Sequence, residues 1–147
     1  MDNPLLRQAI FHAVNPQDAL IAARNGDGVL PTDLTPAENI GALAGVVDYS
    51  NTYDPELAAE LLAESGFDTA TPIKLSLCVG YFPIDATPAG VSIANNLAAI
   101  GLNVVTETLD GSVCTDRWLS GNIEMMINKQ GSAPMLIADT LNWYTTT

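Results

Sequence analysis

The fold is decided by residues 72–109, whose sequence is PIKLSLCVGYFPIDATPAGVSIANNLAAIGLNVVTETL. Apolar residues alternate with others over residues 72–80, and this period of two predicts a β-strand. Residues 87–100 have the apolar period of a helix, which Gly101 ends. Residues 102–109 predict a second strand. Because a helix joins the two strands, we expect them to be parallel and connected by a right-handed crossover.

The faces of these elements follow from the same pattern. One face of the first strand carries Ile73, Leu75, Leu77 and Val79, and the other carries Lys74, Ser76 and Cys78. The core stripe of the helix is predicted to be Val91, Ala94, Leu97 and Ala98. A short helix at residues 112–120 and a third strand at residues 123–128 extend the unit. The sequence therefore predicts a small α/β sheet flanked by helices.

Two helices precede this unit near the start of the chain. Residues 4–14 begin with a proline, which is pre-set for the first helical turn, and they carry apolar residues on one face. Asn15 is predicted to cap the second helix, with Pro16 at its first position, and residues 25–28 to stop it. We expect the two helices to form a helical pair.

A third helix has the clearest boundaries in the sequence. Asp54 is predicted to cap it, Pro55 to occupy its first position and Gly66 to end it, with Phe67 folding back onto its last turn. Residues 29–53, before it, contain prolines and glycines without a sustained period and predict a long surface loop. Loops of this length often border a ligand site, which favours a binding protein.

Composition limits the class of protein. The chain has 147 residues, enough for one domain, and its 48% hydrophobic and 15% charged residues are typical of a packed globular fold. The net charge of −12 repels phosphate backbones and anionic lipid headgroups, so nucleic acid is not expected as a partner. No apolar run approaches the ~20 residues that span a bilayer.

The residues that could carry chemistry favour structural roles. His12 is the single histidine in the chain and is predicted to be structural, in a helix beside apolar neighbours. Glu56, Glu60 and Glu64 repeat at four-residue spacing, which we interpret as a solvated helix surface and not as a metal site. We therefore predict no catalytic residue, no metal site and no cofactor.

Cys78 and Cys114 form no metal-binding motif. We expect Cys78 to behave as a small buried hydrophobic residue, and a disulfide with Cys114 is the less favoured alternative. Trp118 and Trp143 are both candidates for stacking on a ligand, although a core anchor on a short helix is the favoured interpretation of Trp118. Neither tryptophan is assigned a catalytic role.

A ligand site is predicted beyond the carboxyl ends of the strands, where open α/β sheets bind their ligands. The loops after the first and third predicted strands offer aromatic surface and neutral hydrogen-bonding groups, which suit a polar solute. The predicted ligand-binding residues are Gly80, Tyr81, Phe82, Asn128, Gln130 and Ser132.

Three parts of the sequence together resemble the family 5 extracellular solute-binding proteins, the oligopeptide- and dipeptide-binding group. They are LRQAI at residues 6–10 with AVN at 13–15, YDPELA at 53–58 with LLAESGF at 61–67, and IGLNV at 100–104. Their order and spacing extend through nearly the whole chain. The resemblance is therefore more specific than any one motif.

The resemblance implies a type II periplasmic-binding-protein fold, in which two α/β lobes close on a ligand and dock on the permease of an ABC transporter. Residues 1–147 are then expected to form a single α/β lobe, a partial domain of a longer two-lobe protein that corresponds to the central part of its second lobe. It implies a non-enzymatic peptide-binding or polar-solute-binding protein, extracytoplasmic and lipid-anchored in its full-length form.

This sequence departs from the family pattern at one place. Where the family often has a Gly-Trp pair and then an acidic residue that holds a peptide's amino terminus, residues 129–133 read KQGSA. An ammonium group removed from water needs a charged or multiply hydrogen-bonding partner. The departure favours another solute or a weaker anchor, and the sequence leaves the solute open.

An alternative function is the ligand-sensing module of a transcriptional regulator built on the same lobe. A signal peptide or lipobox upstream would favour transport, whereas a basic helix-turn-helix segment would favour regulation. A hydrolase is the least favoured interpretation, because the sequence contains no motif that places a nucleophile beside a base and an orienting group.

Overall fold

The computed structural model describes residues 2–30, 52–79 and 87–127. Apart from Val29 and Leu30, these residues belong to one compact unit, Met1–Gly28 with Thr52–Lys129, while a second unit comprises Val29–Asn51 and Gln130–Thr147. The elements in the described ranges are α1 (Pro4–Ala13), α2 (Pro16–Arg24), α3 (Pro55–Ser65), β1 (Ile73–Val79), α4 (Thr87–Ala99), β2 (Val104–Asp110), α5 (Gly111–Leu119) and β3 (Met125–Ile127). All eight were predicted. The predicted loop at residues 29–53 lies almost wholly outside the described residues.

The predicted helix ends are confirmed by their capping contacts. Asn15 Oδ1 accepts a hydrogen bond from the Gln17 amide at 3.0 Å, and Asp54 Oδ1 accepts one from the Leu57 amide at 3.0 Å. Gly66 ends α3 with φ of 64°, a left-handed conformation that a residue without a Cβ adopts at little cost. Local sequence therefore determines where these helices begin and end.

The helices form the main apolar core, but not in the predicted pairs. The main contacts of α1 are with α3, and those of α2 are with α4, so the expected helical pair of α1 and α2 is wrong. Asn15 adopts an extended backbone between the two helices, and its amide donates to Asn96 Oδ1 of α4 at 3.0 Å. This contact directs α2 toward α4. The core consists of Leu6, Ala9, Ala13, Ala58, Leu62, Ile73, Leu97 and Leu102.

The sheet of the described residues is parallel, with strand order β2-β1-β3. Ile73 of β1 pairs with Val104 of β2, and Val79 pairs with Asp110 at the other end. On the other side of β1, Leu77 pairs with Ile127 of β3. The predicted β-α-β unit of parallel strands is confirmed, and β1 is the central strand of the three-stranded sheet.

Helix α4 packs on β1 at Gly90. A Cβ at this position would collide with the Leu77 side chain, so the close approach of helix and strand depends on a glycine. The helix buries Gly90 and Leu97, whereas Val91 is 48% exposed and Ala98 is also exposed. The predicted core stripe is therefore wrong at Val91 and Ala98. The helix contacts the strand through Gly90, and a search for apolar side chains does not find a glycine.

Helix α5 covers the opposite face of β1. Side chains alternate along a strand, so Leu77, which meets α4, and Cys78, which is bonded to α5, point to opposite faces. Because α5 connects β2 to β3 while β1 lies between these strands, the helix must cross β1. Among the residues that the structure describes, one crossover helix thus lies on each face of the sheet.

Candidate functional site

The carboxyl ends of the strands form the edge where a ligand site was predicted. β1 and β2 end level with each other at the pair of Val79 and Asp110. β3 ends at Ile127, beside Leu77 of β1. Helix α5 begins at this edge, since Gly111 directly follows β2. An open parallel sheet binds its ligands at such an edge.

The start of α5 is fixed by Asp110, the last residue of β2. Its Oδ1 accepts hydrogen bonds from the Ser112 amide at 2.9 Å and from Ser112 Oγ at 2.7 Å. The hydroxyl and the amide of Ser112 lower the pKa of the Asp110 carboxyl, because both donate to its ionised form. Asp110 is therefore an ionised helix cap at the edge of the sheet.

A disulfide joins β1 to α5 next to this edge. Cys78 and Cys114 are bonded, with their Cα atoms 5.9 Å apart. The expectation that Cys78 is an unpaired buried residue is therefore wrong, and the alternative is correct. Sequence spacing did not reveal the pair, because the two residues are 36 positions apart and meet only because α5 crosses β1.

A polar cluster of Ser76, Glu107 and Arg117 lies on the same face. Ser76, 1% exposed, donates to Glu107 Oε1 at 2.8 Å, and Arg117 Nη1 of α5 donates to the same oxygen at 2.8 Å. The Ser76 hydroxyl, then Arg117 and the charge of Lys74, lower the pKa of Glu107 against the opposing effect of burial. The cluster went unpredicted, although the pairing of Ser76 with Glu107 follows from the strand register.

The predicted ligand-binding residues Gly80, Tyr81, Phe82, Asn128, Gln130 and Ser132 lie outside the described residues. The described parts of β1 and β3 extend to Val79 and Ile127, which lie on adjacent strands. The role of the six residues stays a prediction.

His12 connects α1 to the start of α3. Its Nδ1 donates to the carbonyl oxygen of Thr52 at 2.9 Å, and its own carbonyl oxygen accepts from the Asp54 amide at 2.8 Å. The ring also makes an edge contact with Phe11. These contacts agree with the structural role predicted for His12.

The remaining candidates from the sequence have surface or packing positions. Glu56, Glu60 and Glu64 are exposed on α3, as expected for a solvated helix face. Trp118 is partly buried on α5 but is not part of the core cluster, so the core anchor predicted for it is wrong. Trp143 lies outside the described residues. None of the helices in the described ranges is long and apolar enough to cross a membrane.

All of residues 1–147 match the family described as bacterial extracellular solute-binding proteins, family 5 Middle. The chain belongs to this family. It is 39% identical over 75 residues to the dipeptide-binding protein of Escherichia coli, a match that covers 51% of this chain and 14% of that protein. It is 31% identical over 129 residues to di/tripeptide-binding protein 2 of Pseudomonas aeruginosa, covering 86% of this chain and 24% of the relative. The chain thus spans about a quarter or less of these relatives.

Solved structures show the same fold. The periplasmic binding protein DppA from Helicobacter pylori, in complex with the peptide STSA, matches 97% of this chain with a TM-score of 0.76 at 24% identity, over 26% of its own chain. NikA from Brucella suis, in complex with Fe(III)-EDTA, matches 97% with a TM-score of 0.74 at 22% identity, over 30% of its chain. The predicted α/β class and type II periplasmic-binding-protein fold are confirmed. None of these relatives supports the alternative of a regulator's sensing module.

Proposed function

We propose that this chain is part of a two-lobe protein that binds a peptide or a similar polar solute and delivers it to the permease of an ABC importer. The observation that carries the proposal is the parallel sheet with both predicted loops starting at its carboxyl edge, in a chain of this family. Relatives named for dipeptides and for di- and tripeptides support the same class of solute. The proposed function is binding without covalent chemistry.

The half-site that we propose combines two kinds of contact. Tyr81 and Phe82 offer aromatic surface, with Gly80 allowing the backbone to approach the solute. The segment that follows β3 offers neutral hydrogen-bonding groups on Asn128, Gln130 and Ser132. The adjacency of Val79 and Ile127 supports this arrangement, since two loops from neighbouring strands can reach one solute.

The proposed location of the full-length protein is outside the cytoplasm, with a lipid anchor at the cell surface or in the periplasm. Family membership and the disulfide between Cys78 and Cys114 support an oxidising compartment. Metabolic labelling with a fatty-acid analogue tests the anchor. A full-length protein recovered without label, in cells that label a known lipoprotein, would contradict that part of the proposal.

Calorimetric titration of the full-length protein with dialanine and trialanine tests the function, alongside native mass spectrometry for a co-purified solute. We expect a Kd near ~1 μM for a bound peptide, about −8 kcal/mol. A single lobe that keeps half of this free energy would bind with a Kd of about 1 mM. The present chain alone should therefore show no heat of binding at micromolar concentrations.

Matched variants locate the site. Replacing Tyr81 and Gln130 together with alanine should weaken binding, whereas Asn95→Ala, an exposed change on α4, should not. A protein that binds neither peptide and retains no solute would contradict the proposal. Micromolar binding by this chain alone, or hydrolysis of the peptides, would also contradict it.

A further inference from the structure

Helix α5 takes little part in the apolar core. Among the described residues, the core cluster draws on α1, α3, α4 and the sheet, and it includes no residue of α5. The buried residues of α5 are Gly111 and Cys114, whereas Val113 is 39% and Leu119 74% exposed. Cys114 is thus the fully buried side chain among the residues of this helix, and Trp118 is partly buried. Hydrophobic burial therefore fixes α5 less completely than the helices whose residues form the core cluster.

Polar contacts and a covalent bond also hold α5 against the sheet. At its first turn, Asp110 caps the helix and Cys114 is bonded to Cys78 of β1. Near its end, Arg117 pairs with Glu107 of β2 at 2.8 Å. Both side chains of this ion pair are partly exposed, and such pairs stabilise only weakly. The disulfide is therefore the strongest link between α5 and the central strand.

The position of α5 also determines that of β3. The described part of β3, Met125–Ile127, is joined to the rest of the sheet along the chain through α5. It pairs with residues 75–77 of β1. If α5 detached from β1, β3 would lose the element that brings it to the far side of that strand.

The disulfide is therefore linked to both of the strands that lead into the proposed solute site. Cys78 lies one residue before Val79, the end of β1, and Cys114 anchors the helix that leads to Ile127, the end of β3. We infer that the disulfide of Cys78 and Cys114 is a positioning element of the solute site, so that binding requires the oxidised protein. This inference rests on the function proposed above and names a redox requirement for the same site.

The chemistry of the requirement is simple. Reduction breaks the S–S bond with two electrons and two protons and leaves two thiols. In the experiment a dithiol supplies both, and it is itself oxidised to a cyclic disulfide. Re-oxidation reverses the step, so the effect on the solute site should also be reversible.

The test compares the oxidised and reduced full-length protein, with trialanine as the probe and amide hydrogen exchange as a second measurement. On reduction we expect the Kd to rise at least about tenfold, and exchange to accelerate in α5 and β3 while α1 and α3 stay protected. Re-oxidation should restore both. The double variant Cys78→Ala with Cys114→Ala should have the Kd and the exchange pattern of the reduced protein. Adding the dithiol should change neither of them.

A control separates positioning from general loss of stability. Leu62→Ala opens a cavity between α1 and α3, away from the disulfide, and should lower the unfolding midpoint without raising the Kd of the folded protein. An unchanged Kd or unchanged exchange in α5 after reduction would overturn the inference and leave the proposed function standing. If the oxidised protein binds neither dialanine nor trialanine and retains no solute, the proposed function fails, and the exchange measurement alone decides whether the disulfide holds α5.

Discussion

Glu107 shows how one carboxylate serves two elements. Its Oε1 accepts from Ser76 of the neighbouring strand and from Arg117 of α5, so the ionised form links β1, β2 and the helix above them. These donors favour the charged carboxylate over the neutral acid. The pKa of Glu107 consequently lies below its ordinary value of 4.5.

The lowered pKa predicts an acid-sensitive contribution to stability. The contribution is present above the unfolded-state pKa of 4.5 and is lost as the pH falls through the lower folded-state pKa. Glu107→Gln should therefore reduce the free energy of unfolding at pH 7 by about 1 kcal/mol or less, since the pair is partly exposed. Between pH 5 and pH 3, urea unfolding of the variant should change less than that of the wild type.

Glu60→Gln provides the matched control for this prediction. It removes an exposed carboxylate on α3 with the same change of chemistry. A pH dependence that is the same for wild type and Glu107→Gln, or a larger effect of Glu60→Gln, would contradict the role of the cluster.

The two cysteines mark what residue types alone could not predict. The number of cysteines and their 36-residue separation fit either free thiols or a disulfide bridge. The bridge forms because α5 crosses β1, and that crossing depends on β3 pairing with the far side of β1. Strand order is a property of the assembled sheet, so it was not available from the pattern around either cysteine.

At the scale of elements, the contact of α4 with β1 depends on the missing side chain of Gly90. Gly90→Val would place methyl groups against Leu77, which is itself buried. Overpacking of this kind costs about 1–3 kcal/mol. We expect a loss of this size in the free energy of unfolding, measured by urea denaturation.

Asn95→Val is the control on the same helix, because it adds a β-branched side chain at an exposed position. It should change the free energy of unfolding by less than about 0.5 kcal/mol. The cost of Gly90→Val should also shrink in a Leu77→Ala background, where the colliding side chain is shorter. A full and unchanged cost in that background would show that Leu77 is not the obstacle.

The elements divide into what local sequence determines and what it does not. Helix ends were predictable because Asn15, Asp54 and Gly66 act within one turn of the chain. The buried face of α4 was not, because counting apolar side chains favours Val91 over Gly90. The partner of α2 was not predictable either, since its direction depends on Asn96, 81 positions from Asn15.

For the whole molecule, the predicted class of fold is confirmed and the predicted site stays a prediction. The alternating pattern of the strands, the helical period between them and the order of these elements determine a parallel α/β unit. The helices and the sheet each have an apolar face, and they bury these faces against each other. The carboxyl edge follows from that topology, as the ends at Val79 and Ile127 show. The solute does not follow from it, since specificity depends on loop side chains such as Tyr81 and Gln130 and on a second lobe.

The net charge of −12 belongs to the chain as a whole and predicts a response to salt. Repulsion among the acidic side chains destabilises the compact state, and ions screen it over about 10 Å at 0.1 M. Raising sodium chloride from 10 to 150 mM should raise the thermal unfolding midpoint of this chain by about 2–5 °C, roughly 1 kcal/mol.

Potassium chloride at the same ionic strength is the control, because screening does not depend on the identity of the cation. A midpoint that falls with salt would mean that attractive pairs outweigh the repulsion. Equal rises with both salts would agree with general screening.

The hydrogen bonds between His12 and residues 52 and 54 have a consequence for the entry into α3. Residues 52–54, which precede α3, contact the end of α1. The Asp54 amide donates to the His12 carbonyl oxygen, and the His12 ring donates to the carbonyl oxygen of Thr52. These two hydrogen bonds hold the start of α3 against the end of α1, across the 40 residues that separate His12 from Thr52. Replacing the His12 ring should therefore loosen the entry into α3 while the Asp54 amide still donates to the main chain.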